Sequence, residues 1–259
     1  MIIPGLCSVT FRTMNIDQIA RLARDNALGA IEWGADVHVP PGDTDAATRA
    51  RAVSEGLVVT YGSYLFAAGE GASDDEIGAV LDTAVALGAR TVRVWAPFGV
   101  TGEDSRRTEV VAALRRAAAF GADLDLALAL EFHGGTLTET VDSALALLGD
   151  VDAPNLLTYW QPPYWIAARS IDDDLADLRA LAPVLANLHV YEWTPTPNVT
   201  RRALVDGSDR WRAVVAAVQA MPLPKAFAGP RVAVLEFVAD DDPLNLPADA
   251  LTLRTMVRR

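Results

Sequence analysis

Eight times along its length the sequence sets a short apolar run ahead of a segment with helical character, and this repetition restricts the fold more than any single motif does. The first pair is IIPGLCSVTF and MNIDQIARLARDNAL, in which Ile16, Ile19, Ala20, Leu22 and Ala23 recur at helical spacing. AIEWG and a helix over 44–55, started by Asp43 or Thr44, form the second. LVVTYGSYL precedes a helix that opens at the acidic cap SDDE and runs to Leu87. ARTVRVWAP with 105–121, and ALALEFHGG with a helix from near Thr136 to Gly149, continue the pattern. NLLTYWQPPYW is broken by its proline pair and followed by SIDDDLADLRAL, whose acidic first turn suits a helix N-terminus. PVLANLHVYEW leads through a long polar loop to a helix over 208–221, and PRVAVLEFV leads to an amphipathic tail from Pro243.

Strict alternation through about eight units in 259 residues is what a (β/α)8 TIM barrel requires. The rival is an open doubly wound sheet, yet no Gly-x-Gly-x-x-Gly turn follows the first strand and no Walker-type phosphate loop occurs. No linker or low-complexity segment divides the chain, so residues 1–259 read as one domain.

Composition removes several function classes. A net charge of -12 opposes binding to nucleic acid or to an anionic membrane, because both need a positive surface. The single lysine, Lys225, lies in a proline-rich run and is poorly placed for Schiff-base chemistry. One cysteine, Cys7, excludes an intrachain disulfide, and no cationic, long-apolar leader or membrane-length apolar run is present. A cytoplasmic location is the resulting expectation.

Chemistry is expected at the strand exits. In ALALEFHGG the period of two puts Ala127, Ala129, Glu131 and His133 on one face and Leu128, Leu130 and Phe132 on the other. Small residues then a carboxylate and an imidazole point into a barrel mouth, while leucines meet the outer helices. The sixth strand ends in Tyr159, Trp160 and Gln161, the seventh in His189, Tyr191 and Glu192, and the eighth in Glu236. Glu131, Gln161, His189 and Glu236 would offer a mostly oxygen donor set for a divalent cation, Mn²⁺ or Mg²⁺ before Co²⁺, Zn²⁺ or Fe²⁺. The alternative for the buried carboxylates is an ion pair with an arginine such as Arg93, and for His189 a satisfied core histidine. His133 reads as a substrate contact. Trp95 and Trp160 offer faces for a sugar ring, against ordinary rim packing, and Arg201 offers a cation to a phosphate or carboxylate.

These residues resemble the xylose-isomerase-like sugar phosphate isomerase/epimerase superfamily of barrels, over nearly the whole chain. The resemblance lies in the succession Glu131 in LEFH, His189 in NLHVYE and Glu236 in VLEF; Gln161 stands where the superfamily usually has a carboxylate, and Glu192, a candidate substrate contact, is placed to restore that charge if its loop folds inward. It implies metal ligation by these side chains, with Glu131 and Glu236 as acid and base in an isomerase or epimerase acting on a sugar through an enediolate. His38, in GADVHVPPGD, would be a further substrate contact. Dehydration or lyase chemistry on a keto-sugar or inositol derivative, and a non-catalytic carbohydrate-binding barrel, are the alternatives. The implied partner is a small carbohydrate, and related barrels often associate as dimers or tetramers.

Overall fold

The computed structural model describes residues 1–63, 73–100, 106–194 and 199–258. Eight parallel strands close into a barrel: β1 (Ile2–Cys7), β2 (Ala30–Gly34), β3 (Val58–Gly62), β4 (Thr91–Val94), β5 (Ala127–Leu130), β6 (Leu156–Trp160), β7 (Leu185–Val190) and β10 (Arg231–Leu235). The last of these pairs with β1 and β7, so the ring has no free edge. A two-stranded ribbon, β8 (Glu192–Trp193) with β9 (Arg201–Arg202), rises from the exit of β7. Among the described residues, eight α-helices lie outside: α1 (Ile16–Asp25), α2 (Thr44–Val53), α3 (Asp74–Leu87), α4 (Arg107–Asp123), α5 (Val141–Val151), α6 (Ile171–Leu181), α7 (Ser208–Ala220) and α8 (Leu246–Val257). The expected TIM barrel is therefore observed. The ends of the third and fourth expected segments, 64–65 and 105, lie outside the described residues.

Local chemistry starts the helices where the alternation asks for them. Asn15, Ser73, Thr140 and Ser170 each form a reciprocal capping box, and Asp43 caps α2 through the Ala46 N–H. One start differs from expectation. Residues 136–140 are not the first turn of α5, because their hydroxyls serve the strand exit: Thr136 Oγ1 donates to the His133 carbonyl (2.7 Å) and Thr138 Oγ1 to the Glu131 carbonyl (2.6 Å). Threonine competes with helix through such side-chain bonds, and here it secures the backbone that carries Glu131.

Side chains of opposite parity fill two cores. Val92, Leu128, Leu130, Trp160 and Leu188 pack outward among the helices, and Ile77, Leu114, Leu147 and Val214 meet them from the other side. Inside the barrel, Ala127, Ala129, Leu157, Tyr159, Ala186 and Phe227 form one plug and Cys7, Ala30, Val232 and Val234 another. The interior is thus packed, and anything that binds must do so above it, at the carboxyl end of the strands. Between plug and mouth, Asn187 donates to the Tyr159 hydroxyl (2.9 Å) and accepts from the Val232 N–H (2.8 Å). No described helix is long and apolar enough to cross a membrane.

Candidate active site

Above that polar rung, four consecutive strand exits deliver Glu131, Gln161, His189 and Glu236 to one point. His189 Nδ1 lies 3.0 Å from Gln161 Oε1, 3.3 Å from Glu236 Oε2 and 3.9 Å from Glu131 Oε1. Donor atoms of Glu131, His189 and Glu236 all fall within 4.8 Å of one another. The Tyr159 ring meets the imidazole edge-on at 5.1 Å and supports it from below. The four expected ligands therefore converge, because the period of two gives them the same parity on neighbouring staves.

The interior also holds a pair that the sequence reading did not assemble. Glu32 on β2 accepts from Arg93 Nε at 2.9 Å and lies 3.1 Å from His189 Nε2, while Arg93 Nη1 is bonded to Glu131 Oε2. Arg93 is thus the ion-pair partner considered for Glu131, but it shares that carboxylate with the mouth and does not replace it. Glu32 carried a legible signal, a lone carboxylate in the apolar strand AIEWG. Gly62 makes room for the pair: a Cβ there would fall 2.5 Å from Arg93 Nη2 and 2.9 Å from Glu32 Oε1.

The environments pull the acids apart. Burial pushes Glu131 above the usual carboxylate range despite Arg93. Burial acts on Glu236 in the same sense, but His189 outweighs it and leaves Glu236 below that range. For Glu32 the burial penalty is likewise overcome, by Arg93 and then His189, and the group is held well down. Burial disfavours the charged form of His189, yet Glu236 and Glu32 raise it to about 10.

The donor set fits a divalent cation. Three buried carboxylates against one guanidinium leave two negative charges in excess when His189 is neutral, the charge that one divalent ion supplies. Glu32, one layer behind the ring nitrogen, provides the anion that Gln161 does not. Nδ1 faces three oxygens and Nε2 a fourth, the usual arrangement of a metal-binding imidazole whose second nitrogen donates to a carboxylate. A second cluster, Cys7, Glu32 and His189, surrounds Nε2. It is unsuited to a cation because Arg93 already occupies Glu32 Oε1, and burial raises the Cys7 thiol well above its ordinary value.

Over this floor opens a cavity of about 330 Å³ walled by Trp95, His133, Tyr164, Tyr191, Trp193, Arg201 and Phe237. Trp95 and His133 stand where expected, with ring centroids 4.6 Å apart. His133 Nδ1 donates to the Gly134 carbonyl at 2.9 Å, which leaves Nε2 to face other groups. Arg201 packs on Phe237 at 3.7 Å and pairs with Asp241 at the cavity edge. Tyr164 stacks on Trp193 at 4.5 Å, and the two, with Tyr191, separate this cavity from a neighbouring one of about 430 Å³.

Three expected contacts lie elsewhere. Trp160 has the opposite parity from Tyr159 and Gln161, is fully buried and packs on Trp211 in the helical layer. Glu192 turns away from Tyr191 into the neighbouring cavity, against Gly207, where a side chain would overlap its carboxylate, so it does not restore the charge absent at Gln161. His38 is buried with both ring nitrogens engaged, by Ser8 Oγ at 3.0 Å and the Met14 carbonyl at 2.9 Å. It holds the β2 exit to the β1 exit and does not wall the mouth cavity.

A closed parallel barrel with carboxylates and a histidine on the exits of its later strands defines the class. The chain belongs to the xylose isomerase-like TIM barrel family, whose model matches residues 13–251. Among solved structures it is similar to a probable 3-DHS dehydratase from Bacillus anthracis, at 18% identity over 98% of this chain and 99% of that one, TM-score 0.75. It is also similar to D-allulose 3-epimerase from Methylomonas sp. in complex with D-allulose, at 15% identity over 98% and 96%, TM-score 0.71. A third is a xylose isomerase-like TIM barrel protein from Mycobacterium smegmatis in complex with magnesium, at 13% identity over 100% and 97%, TM-score 0.70. No functionally curated protein matches the sequence.

Proposed function

We propose that this protein is a divalent-metal-dependent isomerase or epimerase of a sugar or sugar-like hydroxy-carbonyl compound. The observation that carries the reading is the convergence of Glu131, Gln161, His189 Nδ1 and Glu236 at the floor of the mouth cavity. Two similar folds, one in complex with D-allulose and one with magnesium, support it.

Glu131, Gln161, His189 and Glu236 would hold the ion, Mn²⁺ or Mg²⁺ by the hardness of the oxygens. A bound cation supplies Lewis acidity to a carbonyl and its neighbouring hydroxyl. Of the two glutamates, one removes the proton from the carbon beside the carbonyl and the other returns a proton to the opposite face or to the adjacent carbon. They come from non-adjacent staves, so they reach a bound sugar from different sides. Trp95 and Trp193 offer apolar faces to the carbon skeleton, His133 and Tyr164 polar edges to its hydroxyls, and Arg201 closes the rim.

The test is solvent exchange. The Mn²⁺-loaded protein is incubated in D₂O with a panel of ketoses and aldoses, and products are read by NMR and mass spectrometry. Isomeric products one mass unit heavier, carrying deuterium at the carbon next to the carbonyl, are expected for at least one sugar. A product lighter by one water would assign dehydration instead, and no exchange with any sugar would contradict the reading.

A further inference from the structure

Glu32 and Arg93 do not wall the mouth cavity, and both are almost completely buried, so neither touches a bound substrate. Burying a carboxylate and a guanidinium there is costly unless the groups are fully paired. The sequence nevertheless places them between the two groups whose geometry matters most. We propose that Glu32 and Arg93 are a positioning pair for the metal centre: Glu32 fixes the His189 ring with Nδ1 free for the cation, and Arg93 locks Glu32 and Glu131 into one frame. The inference rests on the proposed metal centre and names the residues that set its geometry.

The imidazole faces competing acceptors on its two sides. Gln161 Oε1 at 3.0 Å and Glu236 Oε2 at 3.3 Å both invite a proton onto Nδ1, the nitrogen a cation needs bare. Glu32 Oε1, 3.1 Å from Nε2, invites it onto the other nitrogen. A carboxylate only accepts, and a hydrogen bond to an ionised acceptor is about twice as strong as one to a neutral amide. Glu32 is the carboxylate on the Nε2 side, so it would keep the proton on Nε2 when a cation displaces the one on Nδ1. Glu236, its competitor across the ring, is itself one of the residues that would hold the ion.

Arg93 sets the second coordinate. Its Nε holds the same Glu32 oxygen at 2.9 Å, and its Nη1 holds Glu131 Oε2, so that Oε1 is the Glu131 oxygen turned toward His189. The guanidinium is planar and rigid, which fixes the angle between the two carboxylates as a lysine would not. Gly62 keeps the space beside both groups clear of a side chain.

The experiment compares the full-length wild type with Glu32→Gln, which keeps an acceptor, and Glu32→Leu, which has none. Free Mn²⁺ is read by EPR in titrations of each chelator-treated protein. Mn²⁺ affinity is expected to fall about 10–100-fold in Glu32→Leu, the usual range for loss of such a partner, and by less in Glu32→Gln. In the Zn²⁺-loaded wild type, ¹⁵N NMR of the three histidines is expected to show His189 protonated at Nε2 and metal-bound at Nδ1. Wild-type Mn²⁺ affinity in the variants would overturn the positioning role and leave the metal centre standing. If Glu32→Leu fails to fold, wild-type affinity in Glu32→Gln alone overturns it. A wild type that binds neither Mn²⁺ nor Zn²⁺ would overturn the role together with the proposed function.

Discussion

Glu236→Gln is expected to fold, to keep its hydrogen-bonding reach to His189, and to lose about 10²–10⁴-fold in turnover on whichever sugar exchanges with solvent. The substitution is nearly isosteric. An amide oxygen still accepts from the imidazole, but an amide does not take a proton from carbon. Glu236 is nearly buried, its backbone carbonyl is fixed by Thr10, and its carboxylate is held ionised by His189 against the burial penalty. Removing the charge therefore takes away a proton acceptor and an anionic ligand together. Calorimetry separates the two losses: Mn²⁺ affinity reports the ligand, and exchange at saturating Mn²⁺ reports the acceptor. A variant with undiminished exchange would remove Glu236 from the chemistry.

Arg93→Met is expected to lose about 3–5 kcal/mol of stability in the metal-free protein. Methionine fills much of the volume but leaves Glu32 and Glu131 buried without the guanidinium that pairs them. Proteins of this size are stable by only about 5–15 kcal/mol. Each kcal/mol moves the midpoint by roughly 2–4 °C in a chain of 150–250 residues, so a fall of roughly 10 °C is the scale to look for. The same change frees Glu131 from the frame that turns its Oε1 toward His189, and Mn²⁺ should lift the melting temperature of the variant less than that of the wild type. An unchanged melting temperature in the presence of chelator would show that the Glu32–Arg93–Glu131 chain contributes little.

The barrel was legible because eight apolar strands alternate with helices whose starts carry their own caps, as at Ser73 and Ser170. The floor of the site was legible for a related reason. Once LEFH is read as a strand end, the period of two sends Glu131 inward, and the same rule carries Gln161, His189 and Glu236. Applied without exception, that rule would have removed Trp160, which alternates with Gln161, and Glu192, which follows the inward Tyr191. It would also have raised Glu32, since a carboxylate within AIEWG must find a cation, and Arg93 in TVRV is the buried cation of matching parity two strands away.

His38 shows what sequence does not carry. Its ring nitrogens are taken by Ser8 Oγ and the Met14 carbonyl, contacts that exist only after the exits of β1 and β2 are brought together. Burial, the main cause, lowers its pKa, which agrees with a neutral ring that links two loops. The aromatic wall of Tyr164 and Trp193 was hidden for the same reason, because its members come from loops after different strands.

The central claim is that four neighbouring strands bring their terminal side chains to one divalent ion. Crystals grown without chelator, soaked in Mn²⁺ and measured at the manganese absorption edge, test it most directly. The account predicts a single anomalous peak within bonding distance of Glu131, Gln161, His189 Nδ1 and Glu236. A map with no peak there, while Mn²⁺ binds elsewhere on the acidic surface, would contradict it.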